Sequence, residues 1–254
     1  MTEERSILAG FHAVVACLRN RPDSVREVLV DAARRDARLR DLLAQAQRLG
    51  VHVTAVDEKR LDGLAGAGRH QGVVALTQGA RRAPELEDVL KQGSEPPFLL
   101  LLDGVTDPHN LGACLRTADA LGVHAVVVPK DRSAGMSPVV AKVASGAAES
   151  IPLICVTNLA RAMEQLKEAG VWLYGADENG QDSLLDVQVK GAAAWVLGAE
   201  GQGLRRLTRE HCDVLVRIPM LGQVESLNVS VAAALCLYET RRQRSQRPVH
   251  GNRP

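Results

Sequence analysis

Five polar side chains in this sequence stand where they could do chemistry: Asn110, Arg116, Glu200, Ser226 and Asn228. They fall in three glycine-bearing stretches, each entered from an apolar run. The first is Asp103-Gly104-Val105-Thr106-Asp107-Pro108-His109-Asn110-Leu111-Gly112, leading on to Arg116. It leaves a buried strand and opens a helix, the kind of crevice where open α/β sheets bind ligands. Asn110 reads either as a helix N-cap or as a ligand contact. Arg116 falls one turn after Gly112 on the same helix face, and the glycine leaves room for something bulky beside the guanidinium. No acid stands four residues to either side of Arg116. An arginine in that position calls for an external anion, and a phosphate fits its planar fork.

The second stretch is Gly198-Ala199-Glu200-Gly201-Gln202-Gly203. Its glycines permit either a tight strand-to-helix turn or the close approach of a ligand to the backbone. Glu200 between them is held near a helix N-terminus, which favours the carboxylate anion. The spacing is neither a dinucleotide fingerprint nor a phosphate-binding P-loop, so a nicotinamide oxidoreductase is disfavoured. The third stretch runs Ile218-Pro219-Met220-Leu221-Gly222 through Ser226, Leu227 and Asn228 into a final helix. Ser226 has an ordinary reading as the N-cap of that helix. Asn228, a poor helix former, needs a partner in the first turn.

The elements that must position these loops fall into two domains. Residues 98–244 alternate continuous apolar runs with helical segments. The runs are Phe98–Leu102, Ala125–Pro129, Ile151–Val156, Val171–Tyr174, Ala193–Leu197 and Val214–Ile218. Such runs are buried parallel strands, covered on both faces by helices. The final helix, from Leu227 to about Arg244, is apolar nearly all round, so it needs cover on a second side. Residues 1–76 form a smaller α/β unit, with a helix at Gly10–Leu18, strands at Val25–Val30, Val51–Val56 and Val73–Leu76, and a helix over Arg38–Leu49 that stops at Gly50. Residues 77–97 read as a linker with a short helix near Glu85–Lys91, and 245–254 as a flexible basic tail.

Composition narrows the function. Net charge is +1 over 254 residues, but residues 241–254 hold five arginines and no acid. Those arginines either touch phosphates or complement a helix C-terminus. With two each of Phe, Trp and Tyr, the composition argues against a base-stacking platform. The five cysteines are scattered and unpaired in spacing, which argues against a disulfide framework or a zinc site. The N-terminus lacks the apolar stretch of a signal peptide, and no apolar run reaches the ~18 residues of a membrane helix.

Together the three stretches resemble the SpoU class of the SPOUT superfamily, the RNA ribose 2′-O-methyltransferases. Asp131-Arg132-Ser133-Ala134 and Ala144-Ser145-Gly146-Ala147-Ala148-Glu149 add to that resemblance. Residues 1–76, closing on His70-Gln71-Gly72, are similar to the L30e-like RNA-binding domain that precedes the catalytic domain in several members. The resemblance implies an α/β catalytic domain with a deep C-terminal trefoil knot, a cytoplasmic homodimer, and no metal. It implies S-adenosyl-L-methionine held by Gly198, Gly203, Ile218, Met220 and Leu227, and methyl transfer to a guanosine ribose in 23S ribosomal RNA. The catalytic set is Asn110, Arg116, Glu200, Ser226 and Asn228, with Glu200 orienting Arg116 or accepting the proton. A tRNA ribose methyltransferase and a non-catalytic ribosome-assembly factor are the competing readings.

Overall fold

The computed structural model describes residues 5–66, 70–78, 85–91 and 95–246. Part of the expected linker, including Arg81, Arg82 and Gly93, lies outside the described residues, as do residues 247–254 of the tail. The chain forms two compact units, residues 1–83 with 145–150, and residues 84–144 with 151–254.

The first unit runs β1 (Arg5–Ala9), α1 (Phe11–Asn20), a 3-10 turn at Pro22–Ser24, β2 (Val25–Asp31), α2 (Ala37–Arg48), β3 (His52–Val56), α3 (Glu58–Ala65) and β4 (Val73–Gln78). The sheet order is β1-β4-β2-β3. β4 is antiparallel to β1 and β2, and β3 is parallel to β2. Strand alternation sends Val28, Val30, Val73 and Ala75 to one core with Phe11, Val14, Leu39 and Leu42 of α1 and α2. Leu29 and Val74 point the other way and meet Leu61 of α3. α2 starts where Asp36 accepts from Leu39 N at 3.0 Å, an N-cap. β1 and α3 are absent from the sequence reading. α3 has one fully buried position, Leu61, and a glycine in its middle, so its periodicity is faint.

The second unit runs α4 (Leu86–Lys91), β5 (Phe98–Asp103), α5 (Pro108–Ala120), β6 (Ala125–Pro129) and α6 (Pro138–Ala144). A short helix, α7 (Ala147–Ser150), belongs to the first unit. The second unit resumes with β7 (Leu153–Val156), α8 (Leu159–Glu168), β8 (Trp172–Ala176), β9 (Asp182–Ser183), β10 (Ala193–Gly198), α9 (Arg206–His211), β11 (Val214–Arg217) and α10 (Val229–Gln246). Its seven strands are ordered β7-β6-β5-β10-β8-β11-β9, and every pairing is parallel. All six expected apolar runs are strands of this sheet. β5 is buried along its whole length, as expected for a strand covered on both faces.

α10 packs on α5 and β10, burying Val229, Ala233, Cys236 and Leu237, while Val231, Leu235 and Tyr238 are exposed. One buried polar link fixes it: Trp195 Nε1 donates to Thr240 Oγ1 at 2.8 Å, with both residues fully buried. Thr240→Val keeps the shape and orphans the indole N–H. A loss of about 1–3 kcal/mol in the unfolding of this unit is expected, read by denaturant titration of Trp195 fluorescence.

The first tail arginines are structural. Arg241 and Arg244 lie within α10, and both guanidinium groups stack near the Phe98 ring, at 5.5 and 4.7 Å from its centroid. Arg241 donates to Leu121 O and Gly122 O, the carbonyls that end α5. Arg241 thus complements a helix C-terminus, but that of α5 rather than of its own helix, while Arg244 donates to Pro96 O, Pro97 O and Gly191 O.

Candidate active site

Asp107, Pro108 and His109 decide how the first loop enters α5. Asp107 Oδ1 accepts from His109 N at 2.8 Å, and Pro108 takes the first helical position. Asp107 is therefore the N-cap, which releases Asn110 to point its amide out of the first turn. In the same way Asn228, not Ser226, caps α10, its Oδ1 accepting from Ser230 N at 2.9 Å and Ser230 Oγ at 2.6 Å. Ser226 lies exposed two residues before the cap.

The Gly198–Gly203 loop folds back on the end of β10. Gly203 N donates to Ala199 O at 2.9 Å, and Gly201 and Gly203 take the positive φ values of 73° and 62° that this closure needs. A Cβ on Gly198 would lie 2.0 Å from the backbone carbon and oxygen of Gly203. The loop carries Glu200 outward to both asparagines. Glu200 Oε1 accepts from Asn110 Nδ2 at 3.1 Å, from Asn228 Nδ2 at 2.5 Å, and from Val229 N at 3.4 Å at the N-terminus of α10. Asn228 Nδ2 also donates to Asn110 Oδ1 at 3.0 Å, closing the set. Three side chains from residues 110, 200 and 228 thus meet at the carboxyl edge of the sheet.

Arg116 does not join them. Its side chain is exposed and makes no hydrogen bond or ion pair among the described residues. No ion pair joins it to Glu200 among the described residues, and Glu200 turns its Oε1 to the two asparagines instead. The expected purpose of Gly112 is also corrected. A Cβ there would meet Val143 Cβ at 2.7 Å and Val140 O at 3.0 Å. The space beside α5 at Gly112 is filled by α6.

Beside Glu200 opens a cavity of about 360 Å3. Gly198, Gly203, Ile218, Met220 and Leu227 all line it, together with Glu200 and Ser226. Asn110, Arg116 and Asn228 are not among its walls. Sequence reading missed Ala176 at the end of β8, Asp177 and Glu178 after it, and Arg209 of α9, all of which also line the cavity. Asp177, nearly buried, pairs with Arg209 at 2.8 Å. The rule that ligands gather at strand carboxyl ends would have found this loop, since it follows the Val171–Tyr174 run directly. Burial, with Glu200 adding to it, pushes the Cys114 thiol up to about 12. Burial likewise pushes the Cys212 thiol up to about 12. Both are neutral packing groups at physiological pH, so neither is a nucleophile here.

The sequence pattern of the SpoU rRNA methylase family matches residues 97–238, which hold all ten of these site residues. The chain belongs to that family. Residues 7–83 match a second pattern, the RNA 2′-O ribose methyltransferase substrate-binding domain. The chain is 58% identical over 238 residues to a 23S rRNA (guanosine-2′-O-)-methyltransferase of Bordetella pertussis, covering 94% of this chain and 97% of that protein. It is 54% identical over 244 residues to the corresponding enzyme of Neisseria meningitidis serogroup B, covering 96% and 97%. Among solved structures it resembles the SpoU methyltransferase AviRb of Streptomyces viridochromogenes in complex with AdoMet. There the TM-score is 0.74 with 27% identity, covering 95% of this chain and 91% of that one.

Proposed function

We propose that this protein transfers a methyl group from S-adenosyl-L-methionine to the ribose 2′-hydroxyl of a guanosine in 23S ribosomal RNA. The observation that carries the reading is the joining of Asn110, Glu200 and Asn228 beside a cavity of cofactor size, in a chain more than half identical over nearly its full length to enzymes of that name.

The residues present fit the cofactor. The cavity falls within the roughly 300–1,000 Å3 typical of cofactor sites. Its glycine loop exposes backbone for close approach, Ile218 and Leu227 offer apolar surface, and Glu178 and Glu225 offer carboxylates for hydroxyl and ammonium groups. Bound S-adenosyl-L-methionine supplies a methyl group on a positively charged sulfur. The chain's own task is to aim and deprotonate a weakly acidic hydroxyl. Arg116, solvent-facing and unpaired among the described residues, grips a phosphate next to the target ribose. Glu200 Oε2 accepts from no group among the described residues, which leaves it open to take the proton. Asn110 and Asn228 hold the other oxygen, and Ser226 faces the ribose from the third loop.

The outward stripe of Val231, Leu235 and Tyr238 on α10 suits a second copy of the chain, giving the homodimer. A ribosomal RNA substrate supports a cytoplasmic location for the enzyme. The C-terminal trefoil knot belongs to the same reading. It is supported by β10 entering the sheet between β5 and β8, and by the loop after it folding back on the strand end.

Two measurements test the reading. Isothermal titration is expected to give saturable binding of S-adenosyl-L-methionine and none of NADH. Mapping of ribose methylation in cells lacking the protein is expected to lose one guanosine site in 23S rRNA. Retention of every rRNA site with loss of a tRNA site would overturn the substrate assignment.

A further inference from the structure

Among the described residues three that are not glycine have positive φ: Gln71, Arg132 and Ser145, at 50°, 56° and 56°. Side chains other than glycine and asparagine rarely sit there, so each needs a reason. For two of them the backbone supplies it. Gln71 turns its carbonyl to the Arg34 guanidinium. Ser145 directly follows the last residue of α6, where helices commonly end on one left-handed residue.

Arg132 ends no helix. It sits in the bend after β6, where Ala134 N and Ser133 Oγ both donate to Val105 O, at 2.8 and 3.2 Å. Those two bonds fasten the bend to the loop that leads to Asn110. The turn itself explains why some residue at 132 is left-handed, but glycine or asparagine would make the same turn with less strain. The arginine side chain brings the fold nothing in return. It is exposed and makes no hydrogen bond or ion pair among the described residues. Strain retained for a side chain that the fold does not use points to a use outside the fold.

Its position says what that use is. The bend lies at the carboxyl edge of the sheet and continues into α6, which packs on α5 at Gly112, one turn before Arg116. Arg132 and Arg116 are thus two unpaired guanidinium groups carried by elements fastened to the same helix. We propose that Arg132 binds a phosphodiester of the RNA substrate other than the one gripped by Arg116, and that the left-handed backbone exists to present it. The proposal rests on the reading of this chain as an RNA methyltransferase.

The test uses the full-length protein and unmodified 23S rRNA transcript, with affinity measured across a range of KCl. Arg132→Gly is expected to weaken binding and to reduce the salt slope by about 0.7 log units for the lost contact. Its cofactor affinity should match the parent and its melting temperature should be equal or higher, because glycine relaxes the bend. Arg132→Lys should keep the slope, as should Arg161→Ala, which removes an exposed charge from α8. A parent-like slope in Arg132→Gly would overturn the proposal. So would a lower melting temperature or lost cofactor binding, either of which would make the arginine a structural support. Methyl incorporation by the parent protein tests the underlying reading separately. If the parent binds this RNA but does not methylate it, while Arg132→Gly still loses slope, the enzyme assignment falls and the phosphate site stands.

Discussion

Arg116→Ala is expected to lower the rate of RNA methylation at saturating cofactor by about 10²–10³-fold, the usual cost of removing one positioned charge from a transition state. The rest of the molecule should not register the change. Arg116 is exposed and bonded to nothing among the described residues, so stability should move by less than about 0.5 kcal/mol. It is not in the wall of the cavity proposed to hold the cofactor, so binding of S-adenosyl-L-methionine by calorimetry should be unaltered. Arg116→Lys separates two roles. A point charge that only attracts the backbone would keep substantial activity, whereas a planar fork that fixes one phosphate geometry would be lost with the guanidinium. Full activity in the alanine variant would remove Arg116 from the mechanism and leave Glu200 and the two asparagines to explain it.

Gly198→Ala should abolish cofactor binding altogether. The added methyl would stand 2.0 Å from Gly203 C and O and 2.4 Å from Leu204 N, all of them backbone atoms that cannot swing aside. Either the Ala199–Gly203 closure opens or the end of β10 is displaced. Both outcomes remove Glu200 from Asn110 and Asn228. Overpacking of this kind costs about 1–3 kcal/mol or more, so a lower melting temperature should accompany the lost calorimetric signal. Gly201→Ala is the natural comparison. A Cβ there meets nothing within 4 Å, and only the φ of 73° is unfavourable, so weakened but measurable binding is expected. Parent-like affinity in Gly198→Ala would mean that the loop is not the cofactor cradle.

The sequence displayed the parts of this site whose signal is local. Six apolar runs mark six parallel strands because a strand buried on both faces has no polar positions to interrupt it. β9 has two residues, one of them exposed, and leaves no such mark. The cavity-lining residues of the Gly198–Gly203 loop were legible because glycine clusters after a strand are visible in a short window. What stayed hidden depends on partners far along the chain. Gly112 reads as room for a ligand until Val140 and Val143 of α6 fill the space. Ser226 reads as a cap because serine caps helices well, but two residues later Asn228 serves Ser230 N with one atom and Glu200 with another. Arg241 and Arg244 read as tail charge, and their bonds to carbonyls near residues 97, 122 and 191 cannot be read from spacing.

The position of β10 between β5 and β8 also sets the order in which this protein can be completed as it leaves the ribosome. Every strand of the first sheet lies within residues 5–78, so that sheet can close early. β5, by contrast, emerges as a run of Phe and Leu whose inner edge has no partner until residues 193–198 are made. An unpaired, apolar strand edge is an open template for another chain, and pairing across so long a separation is slow. Nascent chains stalled between residues 130 and 190 should therefore be the species most prone to aggregate and most dependent on chaperones.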